Sequence, residues 1–206
     1  MNIKREYRDM VLSIPEPEKE EYRVEGYAST FDPYVLLTID GVDYSERIAP
    51  GAFDNADMSD VVFRIDHTGP VYARSSAGTV QLDTDDHGLH NVVDLSRTER
   101  SRGIFEELKA GNYPKMSFCF TVADGGDEYD RDTRTRIINR IKKVYDISPV
   151  TFPANPGTEL SARDYFDGVI EMEKAERLEE EKRERQKQKI RILLEVSKHG
   201  DQNHDC

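Results

Sequence analysis

Apolar and polar residues alternate strictly from Lys115 to Val122. Met116, Phe118, Phe120 and Val122 fall on one side of an extended strand, and Ser117, Cys119 and Thr121 on the other, because side chains on a strand have period two. The pattern predicts a half-buried strand that presents hydroxyls and a thiol from one face. Shorter runs of the same kind predict strands over Arg8 to Ile14, Tyr22 to Thr30 and Val61 to Asp66, the last delivering His67 ahead of a turn at Thr68-Gly69-Pro70. Thr79–Asp83 and Leu89–Leu95 flank Asp85-Asp86-His87-Gly88 and read as a hairpin. A second hairpin is expected to lead from the serine strand through Asp124-Gly125-Gly126-Asp127 towards Thr135. In Lys143–Val150, alternation puts Val144 and Asp146 on one side and Tyr145 and Ile147 on the other.

Helical signals are fewer. Ser96 with Glu99 three residues on forms a capping-box pattern, Ile104, Phe105 and Leu108 supply an apolar stripe, and Gly111 suits the C-terminal cap. A short helix is expected around Glu159 to Phe166. From Gly168 the composition shifts to Glu, Lys and Arg, with acid-before-base pairs such as Glu173–Arg177 and Glu179–Arg183. Apolar residues return only at Ile190, Ile192, Leu193, Leu194 and Val196, too sparsely for a coiled coil. The expected organisation is a folded domain over 1–167 and a charged, partly disordered helical tail over 168–206. Many short strands with few helices predict a mainly β (α+β) fold: a small closed β-barrel with peripheral helices.

Charge narrows the function. The 206 residues carry 29 Lys and Arg against 41 Asp and Glu, a net charge of −12. A phosphate backbone would be repelled by most of such a surface, so nucleic acid is not an expected partner. Neither a signal peptide nor a membrane-spanning apolar run is visible, and two cysteines, Cys119 and Cys206, make no disulfide framework; a cytosolic protein with reduced thiols is expected. His87 and His90 lack a third ligand at any zinc-like spacing, so neither a metal nor a cofactor is expected.

The remaining chemistry lies in three strands. An alkyl hydroxyl needs an adjacent base to become a nucleophile, and the base needs an orienting group. Ser117, His67 and Asp146 supply the residue types, each from its own strand. Taken singly they have plainer readings: most strand serines are structural, and Asp146 would serve equally in a salt bridge. Cys119, one pleat from Ser117, is a competing nucleophile or a small packing residue.

Several blocks together resemble the prohead (capsid maturation) serine proteases of tailed bacteriophages. They are Gly26-Tyr27-Ala28-Ser29-Thr30-Phe31, Tyr44-Ser45-Glu46-Arg47-Ile48-Ala49-Pro50-Gly51-Ala52-Phe53, Asp66-His67, Leu108-Lys109-Ala110-Gly111, Lys115-Met116-Ser117-Phe118-Cys119-Phe120 and Tyr145-Asp146-Ile147-Ser148-Pro149-Val150-Thr151-Phe152-Pro153-Ala154-Asn155-Pro156. The resemblance implies a fold related to the herpesvirus assembly protease. It also implies a triad of Ser117 as nucleophile, His67 as base and Asp146 as orienting acid, where many relatives carry Glu. The implied substrates are scaffolding protein, major capsid protein and the protease itself, cleaved inside the assembling prohead in the host cytoplasm, with a homodimer allowed. The charged tail would then be an encapsidation or scaffold-like segment. The rival expectations are an inactive protease-like assembly factor and a hydrolase using Cys119.

Overall fold

The structure, a computed structural model, describes residues 5–11, 22–151 and 156–200, with side chains described at all of these except 10–11, 156–164 and 194–200. The described part of the first expected strand is β1 (Glu6–Val11); the remainder of that expectation, to Ile14, lies outside the described residues. There follow β2 (Arg23–Thr30), β3 (Tyr34–Ile39), β4 (Val42–Ile48), β5 (Val62–Ile65), β6 (Thr68–Arg74), β7 (Val80–Thr84), β8 (Gly88–Asp94), α1 (Glu99–Lys109), β9 (Lys115–Val122), β10 (Asp127–Asp130), β11 (Thr135–Ile138), β12 (Ile141–Val150) and α2 (Pro156–Gly200).

The fold is mostly β with two α-helices, but the expected closed barrel is not what forms. The described strands make three open sheets, ordered β1-β9-β12-β5-β6, β10-β11-β4-β3 and β2-β8-β7. One edge shows why closure fails. In β6, Pro70 has no N–H to offer a further strand, and the Tyr72 carbonyl already accepts from Ser101 Oγ of α1 at 2.7 Å. The second hairpin also differs from expectation: it joins β10 to β11, while β9 pairs with β1 and β12.

Serine-bearing β9 is a central strand, and both of its faces are buried. Met116, Phe118 and Phe120 enter the main core with Phe53, Phe63, Ile48, Ile138, Val144 and Ile147. Phe118 and Phe120 stack with centroids 4.6 Å apart. The expectation of a half-buried strand is thereby corrected, since alternation reveals which residues share a face but not what covers it.

Register with β1 puts Glu6 and Arg8 on that same core face, opposite Phe120 and Phe118. Their charges are matched rather than solvated. Arg8 donates to Glu46 of β4 and to Glu6; Arg136 of β11 donates to Glu6 at 2.5 and 3.0 Å and to Asp127 at 2.7 Å; Tyr34 donates to Glu46 at 2.5 Å. A buried ion network thus ties β1 of the first sheet to the second sheet.

Helix α1 begins two residues later than the capping-box reading proposed. Thr98 is its N-cap, accepting from the Ser101 N–H, whereas Ser96 bonds to Asp94. Its far end matches expectation. Gly111, at φ +80°, donates to Leu108 O while Asn112 donates to Glu107 O, the paired bonds of a Schellman cap. The short helix and the helical tail are one continuous element, α2. The chain divides into Met1–Ala162 and Arg163–Cys206.

Candidate active site

The site is built on the face of the first sheet opposite its aromatic core. On β9 that face carries Ser117, Cys119 and Thr121; residues paired with them on β12 share it. Asp146 stands opposite Cys119 and Ser148 opposite Ser117, while Val144 and Ile147 oppose Phe120 and Phe118 on the core side. Regular alternation cannot produce that set. A register shift between Val144 and Asp146 makes Tyr145 the extra residue of a bulge, and Asp146 is turned away from the side on which Val144 lies. The expectation that Val144 and Asp146 share a side is corrected by this bulge.

His67 arrives from the other flank of β12. β5 pairs parallel with β12, and β5 and β6 form a hairpin with Ile65 opposite Thr68. Asp66 and His67 are therefore the two-residue loop itself, with φ +48° and +56°, the positive values that a type I′ turn demands. The turn expected at Thr68-Gly69-Pro70 lies instead within β6.

These placements bring the three candidate residues together. His67 Nδ1 is 2.6 Å from Asp146 Oδ1, and His67 Nε2 is 2.8 Å from Ser117 Oγ. A carboxylate can only accept, so the proton sits on Nδ1 and leaves Nε2 to accept from the serine hydroxyl. The side chains of His67 and Asp146 are 3% and 6% exposed and Ser117 is fully buried, so bulk water weakens neither bond.

Two further residues complete the arrangement. Ser148 Oγ donates to Asp146 Oδ1 at 2.8 Å, the oxygen that the imidazole also uses. Tyr7 of β1 sets its ring against the imidazole, centroids 4.6 Å apart at 63°. Ser148 was findable in the sequence, because residues two apart on a strand share a face. Nothing in the sequence signals Tyr7, whose place depends on β1 pairing with a strand more than a hundred residues on.

Cys119 has none of the features of an activated thiol. It is fully buried, and burial, reinforced by the charge of Asp146, pushes its thiol up to about 12. Two of the other histidines lie elsewhere: His90 faces Glu25 at 3.1 Å and His87 packs on Tyr27. No group of three His, Cys, Asp or Glu side chains suited to a metal occurs among the described residues.

A serine, a histidine and a carboxylate linked in that order through the two imidazole nitrogens form the constellation of the serine hydrolases. Residues 9–169 match the family described as caudovirus prohead serine proteases, and the chain belongs to that family. No curated protein and no solved structure matches it, and the fold relation to the herpesvirus assembly protease that the resemblance implies is not shown.

Proposed function

We infer that this protein is a capsid-maturation serine endopeptidase, active inside the assembling prohead on scaffolding protein, major capsid protein and its own chain. One observation carries the reading: a single imidazole bonded to Ser117 Oγ at 2.8 Å and to Asp146 at 2.6 Å. His67 Nε2 takes the hydroxyl proton as Oγ bonds to the peptide carbonyl carbon. Asp146 steadies the imidazolium that results. The same proton then passes to the departing amine as the C–N bond breaks, leaving an acyl-serine, which water, deprotonated by His67, hydrolyses.

The test is mass spectrometry of the wild-type chain and Ser117→Ala, each alone and mixed with its capsid and scaffold proteins. Discrete fragments from wild type, with turnover reduced on the order of 10⁶-fold in Ser117→Ala, are expected. Cleavage by both would remove Ser117 as nucleophile. Intact chains in both, despite assembled capsids, would establish the inactive assembly factor instead.

A further inference from the structure

We propose that Asp66 is a positioning residue for His67, acting through a clamp onto Thr151 at the end of β12; the proposal rests on the reading of His67 as general base. His67 occupies left-handed backbone, sparsely populated for any residue with a Cβ, and it does so at the tip of a hairpin whose second strand, β6, is the sheet edge. Pairing within β5 and β6 defines the turn but leaves its tip free to swing with that edge.

Asp66 removes that freedom with three hydrogen bonds. Its N–H donates to Pro149 O at 3.0 Å, and its two carboxylate oxygens accept separately from Thr151 N–H at 2.8 Å and Thr151 Oγ–H at 2.6 Å. On the opposite side of the turn, Arg64 donates to Gly69 O at 2.6 Å. All three Asp66 bonds go to the chain segment that carries Asp146 and Ser148. One stretch of backbone therefore sets both the acid and the distance at which the imidazole stands from it.

The competing explanation is that Asp66 merely suits a type I′ turn. Asp66→Gly separates the two, because glycine takes positive φ more readily while removing the carboxylate. With a peptide spanning the mapped cut site, Asp66→Gly is expected to lower kcat by about 10- to 100-fold with KM within about twofold. Thr151→Val, which keeps the backbone N–H, loses less, and Thr151→Ser restores wild-type turnover. The Asp66→Gly/Thr151→Val double variant is no worse than Asp66→Gly alone, as one shared interaction requires.

A spectroscopic reading is independent of turnover. In full-length Ser117→Ala chain, the His67 Nδ1 proton is observed by NMR with and without Asp66→Gly. Loss or broadening of that resonance on removing the carboxylate is expected. An unchanged resonance and unchanged kcat would reduce Asp66 to a turn former and overturn the proposal. Should Asp66→Gly fail to fold, Asp66→Asn, which keeps the turn preference and one acceptor, carries the same comparison. An inactive wild-type chain would defeat the protease reading alone, because the NMR comparison still reports on the clamp.

Discussion

Cys119 and Ser117 occupy adjacent positions on one face of β9, yet only the hydroxyl touches a base. Burial favours the neutral thiol, and the Asp146 charge disfavours the thiolate further, so the group is protonated throughout the neutral range. Its folded value is raised from 9 to about 12, so its contribution to stability is complete below pH 9 and is lost as pH climbs through 12. Iodoacetamide at pH 8 is expected to leave the Cys119 peptide unmodified in the native chain and to modify it in urea. Alkylation leaves labelling of Ser117 by a fluorophosphonate unchanged. Native-state modification of Cys119 at the rate of a free thiol would contradict this account. In the sequence nothing separates the two residues, which sit on one strand face; only the reach of His67 tells them apart.

At the scale of elements, Thr98 and Ser96 offer a direct comparison. Thr98→Ala removes the N-cap acceptor of α1 and is expected to cost about 1 kcal/mol by urea denaturation. Ser96→Ala removes only a surface bond to Asp94 and costs less than half of that. Equal losses would return the cap to Ser96. The error in reading this cap has a simple origin, because Ser-x-x-Glu and Thr-x-x-Ser start two residues apart and either supplies an oxygen. The bulge at Tyr145 was similarly out of reach, since a bulge adds a residue without changing composition, and it alone decides the face that Asp146 takes. The Asp66-His67 turn was obscured by Gly69-Pro70, stronger turn formers on paper that the structure spends on the first residues of an edge strand. By contrast β9, the β7–β8 hairpin and the Gly111 cap were legible, because each rests on local periodicity or on glycine chemistry.

For the β-rich unit as a whole, the ion network between the first and second sheets bears directly on stability. Arg8 is 2% exposed and holds Glu46, Glu6 and the Tyr7 carbonyl. Arg8→Leu strands buried carboxylates and is expected to destabilise the fold by about 3–5 kcal/mol. The network also sets an acid limit. Burial works to raise the Glu6 pKa, but Arg136 and Arg8 outweigh it and hold the carboxyl below its ordinary 4.5. A depressed folded value means stability that is present above pH 4.5 and lost as pH falls through the folded pKa. Thermal melts from pH 7 to 2 should show this decline, and Glu6→Gln should flatten it. An unchanged slope would assign acid unfolding to other groups.

The strand order β1-β9-β12-β5-β6 has a consequence for biosynthesis. Ser117 rides on β9 and His67 on the loop that follows β5; β9 and β5 each neighbour β12 and not each other, and Asp146 comes with β12 itself. A nascent chain that has released Ser117 and His67 still lacks their arrangement with Asp146, because the strand between them is the last of the described strands to be made. Pairing it with β5 brings together residues far apart in the chain, Asp146 lying 79 residues from His67, and pairings of such long range form slowly. The Ser117–His67–Asp146 arrangement is thereby withheld from any chain that ends before β12.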